Sequence, residues 1–394
     1  MEQDTPVQSM NGAAVSASKS TTWLGRQGAA AFDLRSDTQT TPTLEMLRAI
    51  EVTTLDDDVY HEDRTTINLE DHIAALTGKE AALFVVSGSM GNQLALRSLL
   101  TQPPHGVLCD HRSHVNRYEA GGVASLSGAM VEAVVPKNGV HLTLEDVKEN
   151  VCLGDDVHVC PTKVISLENT LAGMIMPLDE VKRISAFARE NNIKMHLDGA
   201  RLWEVAASGG GSLDSFAACF DTVNLCFSKG LGAPIGSIIV GSKDVIKHAR
   251  WMRKAIGGGL RQSGVVTAAA RVGVDTTFGK GPNGEGGLLK TSHAMAKRVE
   301  KIWTDLGGKM LYPVHTNMLW LDLESMNCSG SRLNALGAEQ GLKLSGNRII
   351  THYQVSEEAI QRLTNVFQKV AEEKTNGHDL KRKGDDMESG IYKK

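Results

Sequence analysis

A chain of 394 residues, 41% hydrophobic and 22% charged, is long enough to bury a large core and suits two domains. Its net charge of −4 leaves no polycationic footprint, which argues against nucleic acid or an anionic membrane as a partner. No uninterrupted apolar run reaches the roughly 18 residues a spanning helix needs.

Residues 1–30 are rich in Ser, Thr, Ala and Gln and lack an apolar secretory core, so they read as a disordered arm. The entry Asp33 to Pro42 is extended, with Ser36 placed for a local turn bond. A helix follows over Leu44–Ile50, with Thr43 as its cap and Glu45 near its positive end. Asp56–Asp63 is a dense acidic loop whose carboxylates lack the alternating spacing of a calcium site. Within it stands His61, of a residue type that can transfer protons near neutral pH; it reads either as a proton-transfer group or as a solvated loop residue. Thr65–Leu76 has helical spacing and stops at Gly78.

The apolar run Ala81–Val86 leads through Ser87, Gly88, Ser89, Met90, Gly91 and Asn92 into a helix expected over Gln93–Leu100. Strand, glycine turn and helix start make an anion cradle, because free N–H groups and the helix dipole favour a phosphate there. Gly106–Asp110 is the next strand, with His114 just beyond it. Ala129–Val135 and Lys163–Leu167 are further strands around the helical Leu144–Val151, and Leu178–Arg189 is a helix before a strand ending at Asp198. This alternation predicts an α/β fold with a mostly parallel sheet.

Asp198 and Arg201 follow one apolar run, and Lys229 follows another before a Gly-Leu-Gly-Ala-Pro turn. Ligands of doubly wound sheets collect at the carboxyl ends of strands, so the topology would bring all three into one crevice. That is the set pyridoxal phosphate needs: a lysine for the aldehyde and a carboxylate for the pyridine nitrogen. A buried Asp198–Arg201 ion pair and a solvated Lys229 are the plainer alternatives. Ile235–Val240 then reads as a strand, Asp244–Ala255 as a helix, and Gly257–Gly264 as a glycine-rich turn carrying Arg261. Leu288–Leu306 is a long helical linker, and Met318–Leu321 and Arg348–Val355 look like antiparallel strands. These readings divide the chain into a large domain over 31–285, a smaller α+β domain over 286–373 and a charged disordered tail over 374–394. The six cysteines (Cys109, Cys152, Cys160, Cys219, Cys226, Cys328) show no zinc spacing, so no metal site is expected and a reduced cytoplasmic setting is.

From about Asp33 to about Gln368 the chain resembles the low-specificity threonine aldolases of the eukaryotic, yeast type, a branch of the aspartate-aminotransferase-like, fold-type-I pyridoxal phosphate enzymes. The motifs that carry the resemblance are Asp33–Thr38, Asp58–Tyr60, Ser87–Asn92, His114 with Glu119–Gly121, Glu168–Thr170, His196–Arg201, Ser228–Gly230, Gly257–Gly264 and Arg348 before His352–Val355. It implies pyridoxal 5'-phosphate as cofactor, with Lys229 holding its aldehyde, Ser87, Gly88, Ser89 and Asn92 around it, and Asp198 on its ring nitrogen. It further implies His114 stacked on the ring, Arg201 beside cofactor and substrate, and Arg261 near the phosphate, commonly across a subunit interface. Arg201 and Arg348, with Ser36, would take the carboxylate of a small amino-acid substrate. A homotetramer or dimer with shared active sites is implied as well. Two departures stand out: His61 replaces an expected glycine, and Leu171 and Ala172 occupy the positions where many members place a histidine.

The reaction so implied is aldol cleavage of L-threonine or L-allo-threonine to glycine and an aldehyde. The departures keep an alternative open: alanine racemisation, performed by fungal relatives in peptide secondary metabolism, with His61 as a catalytic candidate beside Lys229 and His114. A cofactor-binding partner protein without catalysis is the alternative of another class, and the joint presence of Lys229, Asp198 and Arg348 argues against it.

Overall fold

The computed structural model describes residues 28–279 and 286–375. The expected N-terminal arm and C-terminal tail lie almost wholly outside the described residues; Lys374 and Thr375 end the last helix, Glu357–Thr375.

Seven strands build the larger sheet: β1 Ala81–Val85, β2 Gly106–Asp110, β3 Met130–Val134, β4 Thr162–Glu168, β5 Lys194–Asp198, β6 Thr222–Cys226 and β7 Ser237–Gly241. Their order is β1-β7-β6-β5-β4-β2-β3. The five strands from β6 to β3 run parallel, and β7 is antiparallel to both neighbours. β2, β6 and β7 are buried along their whole length; β2 and β7 accordingly carry the continuous apolar runs Val107–Cys109 and Ile238–Val240, whereas β6 interleaves Thr222 and Asn224 with its apolar residues. Helices cover the sheet, and the core between them holds Leu108, Ile165, Leu197, Val223, Leu225 and Phe227.

The smaller sheet joins β8 Lys309–Met310, β9 Met318–Asp322 and β10 Arg348–Ile350, all antiparallel. It carries a second core around Trp303, Leu319, Ile349 and Phe367. Leu34, from the start of the described chain, packs into this second core, and the Leu34 amide donates to the Lys343 carbonyl at 3.0 Å. The strand expected to run to Val355 stops at Ile350. Thr351 still donates its amide to the Asn317 carbonyl at 2.9 Å, but its hydroxyl turns onto the Ser292 carbonyl at 2.7 Å and His352 Nε2 donates to the Asp33 carbonyl at 3.0 Å, so long-range side-chain bonds take over where the strand ends.

Helix boundaries follow their caps. Thr43 accepts the Met46 amide at 3.2 Å and starts Leu44–Glu51; Asp63 accepts the Thr66 amide at 2.8 Å and starts Arg64–Thr77. The helix expected from Gln93 begins instead at Gly88, because Ser87 accepts the Met90 amide at 3.1 Å and caps the glycine turn itself. Its close seat on β6 requires glycine: a Cβ on Gly91 would fall 2.2 Å from Asn224 Oδ1, and one on Gly88 2.8 Å from Cys226 Sγ. That seating aims Asn92 at the end of β5.

Candidate active site

Parallel pairing sets Glu168 of β4 against Asp198 of β5, and Asp198 against Asn224 of β6. The carboxyl ends of these central strands therefore gather Asp198 with its strand-end neighbours, and Lys229 follows β6 in the next turn. Asp198 is 3% exposed. Its Oδ2 accepts Asn92 Nδ2 at 2.7 Å and its Oδ1 accepts the Ala200 amide at 3.1 Å. Asn92 is held in turn by its oxygen, which accepts Asn224 Nδ2 at 2.9 Å and His196 Nε2 at 3.1 Å. Burial depresses His196 to about 4, so the ring is neutral and acts as a fixed hydrogen-bond donor.

Asn92 Nδ2 also donates to Glu119 Oε1 at 2.8 Å, and the same oxygen faces His114 Nδ1 at 2.8 Å. Burial alone would lower the His114 imidazole, but Glu119's hydrogen bond and the charges of Asp198, Glu119 and Glu168 together raise it above its ordinary value. Ligand atoms of His114, Glu119 and Asp198 lie within 4.8 Å of one another. Metal spacing is thus met, yet the Asn92 amide already bridges both carboxylates and Glu119 already orients the imidazole.

Glu168 is the group that sequence reasoning missed. Its Oε2 accepts the His114 amide at 2.7 Å. Burial first, and the neighbouring Asp198 charge second, push its carboxyl up to about 8. A carboxylic acid poised near neutrality beside the strand ends can donate or accept a proton. The Glu-Asn-Thr motif marked the position, but only the pairing of β4 with β5 sets two carboxylates side by side.

Arg201 makes a further long-range contact of the site. Its Nε and Nη2 donate to the two oxygens of Asp37 at 2.7 and 2.6 Å, a bidentate pair. Asp37 is fully buried; against the upward pull of that burial, Arg201 holds its carboxyl well below the ordinary carboxylate range. The expected Asp198–Arg201 alternative is therefore not the pairing observed. Lys229 is half-buried, and the Thr40 hydroxyl donates to its carbonyl at 3.0 Å. Ser36 makes the local turn bond, accepting the Thr38 amide at 3.2 Å, and the neighbouring Arg35 carbonyl accepts Arg348 Nη2 at 3.1 Å. Arg348 is 7% exposed.

Two predicted residues stand elsewhere. His61 takes a left-handed backbone with φ 58°, which explains why glycine suits the position. Its imidazole is held below its ordinary value by burial and then by Arg250, against Asp58 and Asp71. Arg261, with a side chain 55% exposed, donates to Asp57 Oδ2 at 2.8 Å, and the Asp58 amide donates to the Arg261 carbonyl at 2.9 Å. Among the described residues no hydrogen bond or ion pair joins His61 or Arg261 to Lys229, Asp198 or His114. The two belong to one outer patch.

Residues 33–325 match the beta-eliminating lyase family. The chain is 54% identical to the aldolase vrtJ of Penicillium aethiopicum, over 91% of this chain and 90% of that one. It is 46% identical to the alanine racemase TOXG of Cochliobolus carbonum, covering 87% of this chain and 88% of the relative. With the low-specificity L-threonine aldolase of Eremothecium gossypii it shares 45% identity, over 85% and 86% of the two chains. The solved structure of a Leishmania major threonine aldolase superposes with a TM-score of 0.72 at 20% identity, covering 86% of this chain and 99% of the other, which shows a common fold. The chain belongs to the beta-eliminating lyase family and, within it, to the group that contains the low-specificity threonine aldolases.

Proposed function

We propose that this protein is a pyridoxal-phosphate-dependent lyase that cleaves L-threonine or L-allo-threonine into glycine and an aldehyde. The observation that carries the reading is the gathering of Asp198, Glu168 and His114 at the carboxyl ends of the central strands, next to the Lys229 turn, in a chain 45% identical to a threonine aldolase.

The residues fit the cofactor. The helix starting at Gly88 leaves its first N–H groups without intrahelical acceptors, and its glycines let it lie against β6. Ser87, Gly88 and Ser89 would hold the phosphate there, and Arg261 would reach it from a second subunit. Lys229 would hold the aldehyde, Asp198 the ring nitrogen and His114 a ring face, with Asn92 keeping Asp198 in place directly and His114 through Glu119. Bound there, pyridoxal phosphate would supply an electron sink for the pair left on Cα when a bond to it breaks.

Arg348, and Ser36 beside it, would bind the substrate carboxylate, a task suited to a planar guanidinium. Arg201, already fixed by Asp37, would orient the same end of the substrate. Glu168, once ionised, would accept the β-hydroxyl proton as the Cα–Cβ bond breaks, leaving the aldehyde carbonyl, and His114 would shuttle protons beside it. The histidine missing at Leu171 and Ala172 is then not needed as the base.

One observation favours a second reading, alanine racemisation: Leu171 and Ala172 offer no side-chain partner to a hydroxyl, and the alanine racemase TOXG is 46% identical. Chiral chromatography separates the two. Purified protein supplied with pyridoxal phosphate is incubated with L-threonine, L-allo-threonine and L-alanine in turn. Glycine with equimolar acetaldehyde supports the lyase; D-alanine with little glycine overturns it in favour of the racemase.

We also propose a cytoplasmic homo-oligomer, a dimer or tetramer. The six cysteines are all unpaired, and Val52, Leu55, Tyr60 and Trp251 are exposed apolar side chains. No helix among the described residues is long and apolar enough to cross a membrane.

A further inference from the structure

The turn that leaves β4 is fastened to the smaller sheet by a residue the reaction above leaves without a role. Trp320, on β9, donates its indole N–H to the Ala172 carbonyl at 2.9 Å. Its direct cross-strand partner is Arg348, whose guanidinium carbon stands 5.9 Å from the centre of the Trp320 ring. Cation and indole attract at that separation. Trp320 therefore ties one residue of the β4 turn to the arginine proposed to hold the substrate carboxylate.

The tie is reinforced. Ala172 is 7% exposed with φ 51°, and Gly173 follows with φ 82°. A Cβ on Gly173 would fall 2.6 Å from Met318 Cβ, so the turn lies directly on β9. The Thr316 hydroxyl donates to the Gly173 carbonyl at 2.9 Å. The other end of the turn is anchored too, because the Asn169 amide donates to the Asp198 carbonyl at 3.0 Å. The turn thus runs from the strand ends that carry Asp198 and Glu168 to the strand that faces Arg348.

We infer that Trp320 is a specificity-determining residue, which fixes the span between Arg348 and the Leu171–Ala172 turn and so decides which β-carbon configuration of the substrate is preferred. The inference rests on the lyase reading. With the carboxylate held by Arg348, the β-hydroxyl and β-methyl of the substrate occupy two inequivalent places, and exchanging them converts L-threonine into L-allo-threonine. Leu171 and Ala172 present no side-chain hydrogen-bonding group, so their side accepts a methyl in preference to a hydroxyl. A wall discriminates only while its position is fixed relative to the carboxylate anchor.

Trp320→Phe keeps an aromatic face for Arg348 and removes the N–H. The measurement is kcat/KM for L-threonine and for L-allo-threonine on one preparation, since their ratio cancels any loss of folded or loaded enzyme. The ratio should move toward unity by about three- to tenfold, the loss expected for one hydrogen bond. Thr316→Val, which removes the second tie without touching Trp320, must move it in the same direction. The dissociation constant for glycine, which has no β-carbon, should stay within about twofold in both variants. Cleavage with an unchanged ratio in both variants overturns the inference alone. Absence of glycine from either isomer in the unaltered protein overturns the lyase reading and this inference with it.

Discussion

The strand-end cluster and the outer patch around His61 carry similar residue types and differ in how each group is held. Asp198, Asn92, the His114–Glu119 segment and Glu168 come from distant parts of the chain and fix one another through buried and half-buried bonds. In the outer patch, exposed Arg261 pairs with Asp57, and His61 sits beside Arg250 and Asp58. Buried, mutually dependent partners lose much when one is removed, whereas a screened surface pair contributes little. Charge alone does not set the candidate site apart, since Asp58 and Arg253 also form a buried ion pair; its distinguishing feature is that its carboxylates are brought together at the ends of adjacent parallel strands.

The sharpest way to break the contrast is Asp37→Ala. It strips the largely buried Arg201 of its bidentate partner and should reduce folding stability by about 3–5 kcal/mol, read by denaturant unfolding. Because the Asp37 carboxyl lies below its ordinary range, its contribution is present above the unfolded carboxylate value and is lost as pH falls through the folded one. The difference between the original protein and the variant should therefore shrink toward strongly acid pH.

Glu168→Gln keeps an acceptor for the His114 amide and removes the titrating group. The rate of glycine release should fall about a hundredfold. In the original protein kcat should rise as pH passes through about 8, where Glu168 ionises, and the variant should lose that limb. The stability sign is the opposite: the raised carboxyl supports the fold when protonated, fully below its unfolded value, and that support is lost as pH rises through about 8.

The smallest effect belongs to His61 in the outer patch. His61→Gly relieves a left-handed histidine and should change stability by no more than about 1 kcal/mol. Glycine release should stay within roughly twofold, as for an exposed loop substitution. A much larger fall in rate with unchanged stability would move His61 into the reaction.

Much of the candidate site is legible in the sequence because it follows local chemistry. Lys229 and Asp198 each end an apolar run, and Ser87 to Asn92 is a glycine turn opening a helix, so strand ends and an anion cradle can be read from neighbours in sequence. The mostly parallel sheet followed from the alternation of those runs. What stayed hidden depends on pairing across the chain. Arg201 finds Asp37 from 164 positions away, and Trp320 finds Ala172 from 148, separations that leave no spacing signature. Glu168 was visible only as part of a motif, because its raised carboxyl depends on the adjacent strand. The helix start at Gly88 was misplaced because the glycines that weaken a helix locally are the ones that let it dock.

Lys229, at the carboxyl ends of the central strands, is proposed to organise the chemistry. Borohydride reduction of the cofactor-loaded protein, followed by proteolysis and peptide mass mapping, tests it most directly. A phosphopyridoxyl group on the peptide containing Lys229, and its absence from Lys229→Ala treated in the same way, is the predicted result. Labelling of a different lysine, or undiminished labelling of the Lys229→Ala protein, would contradict it.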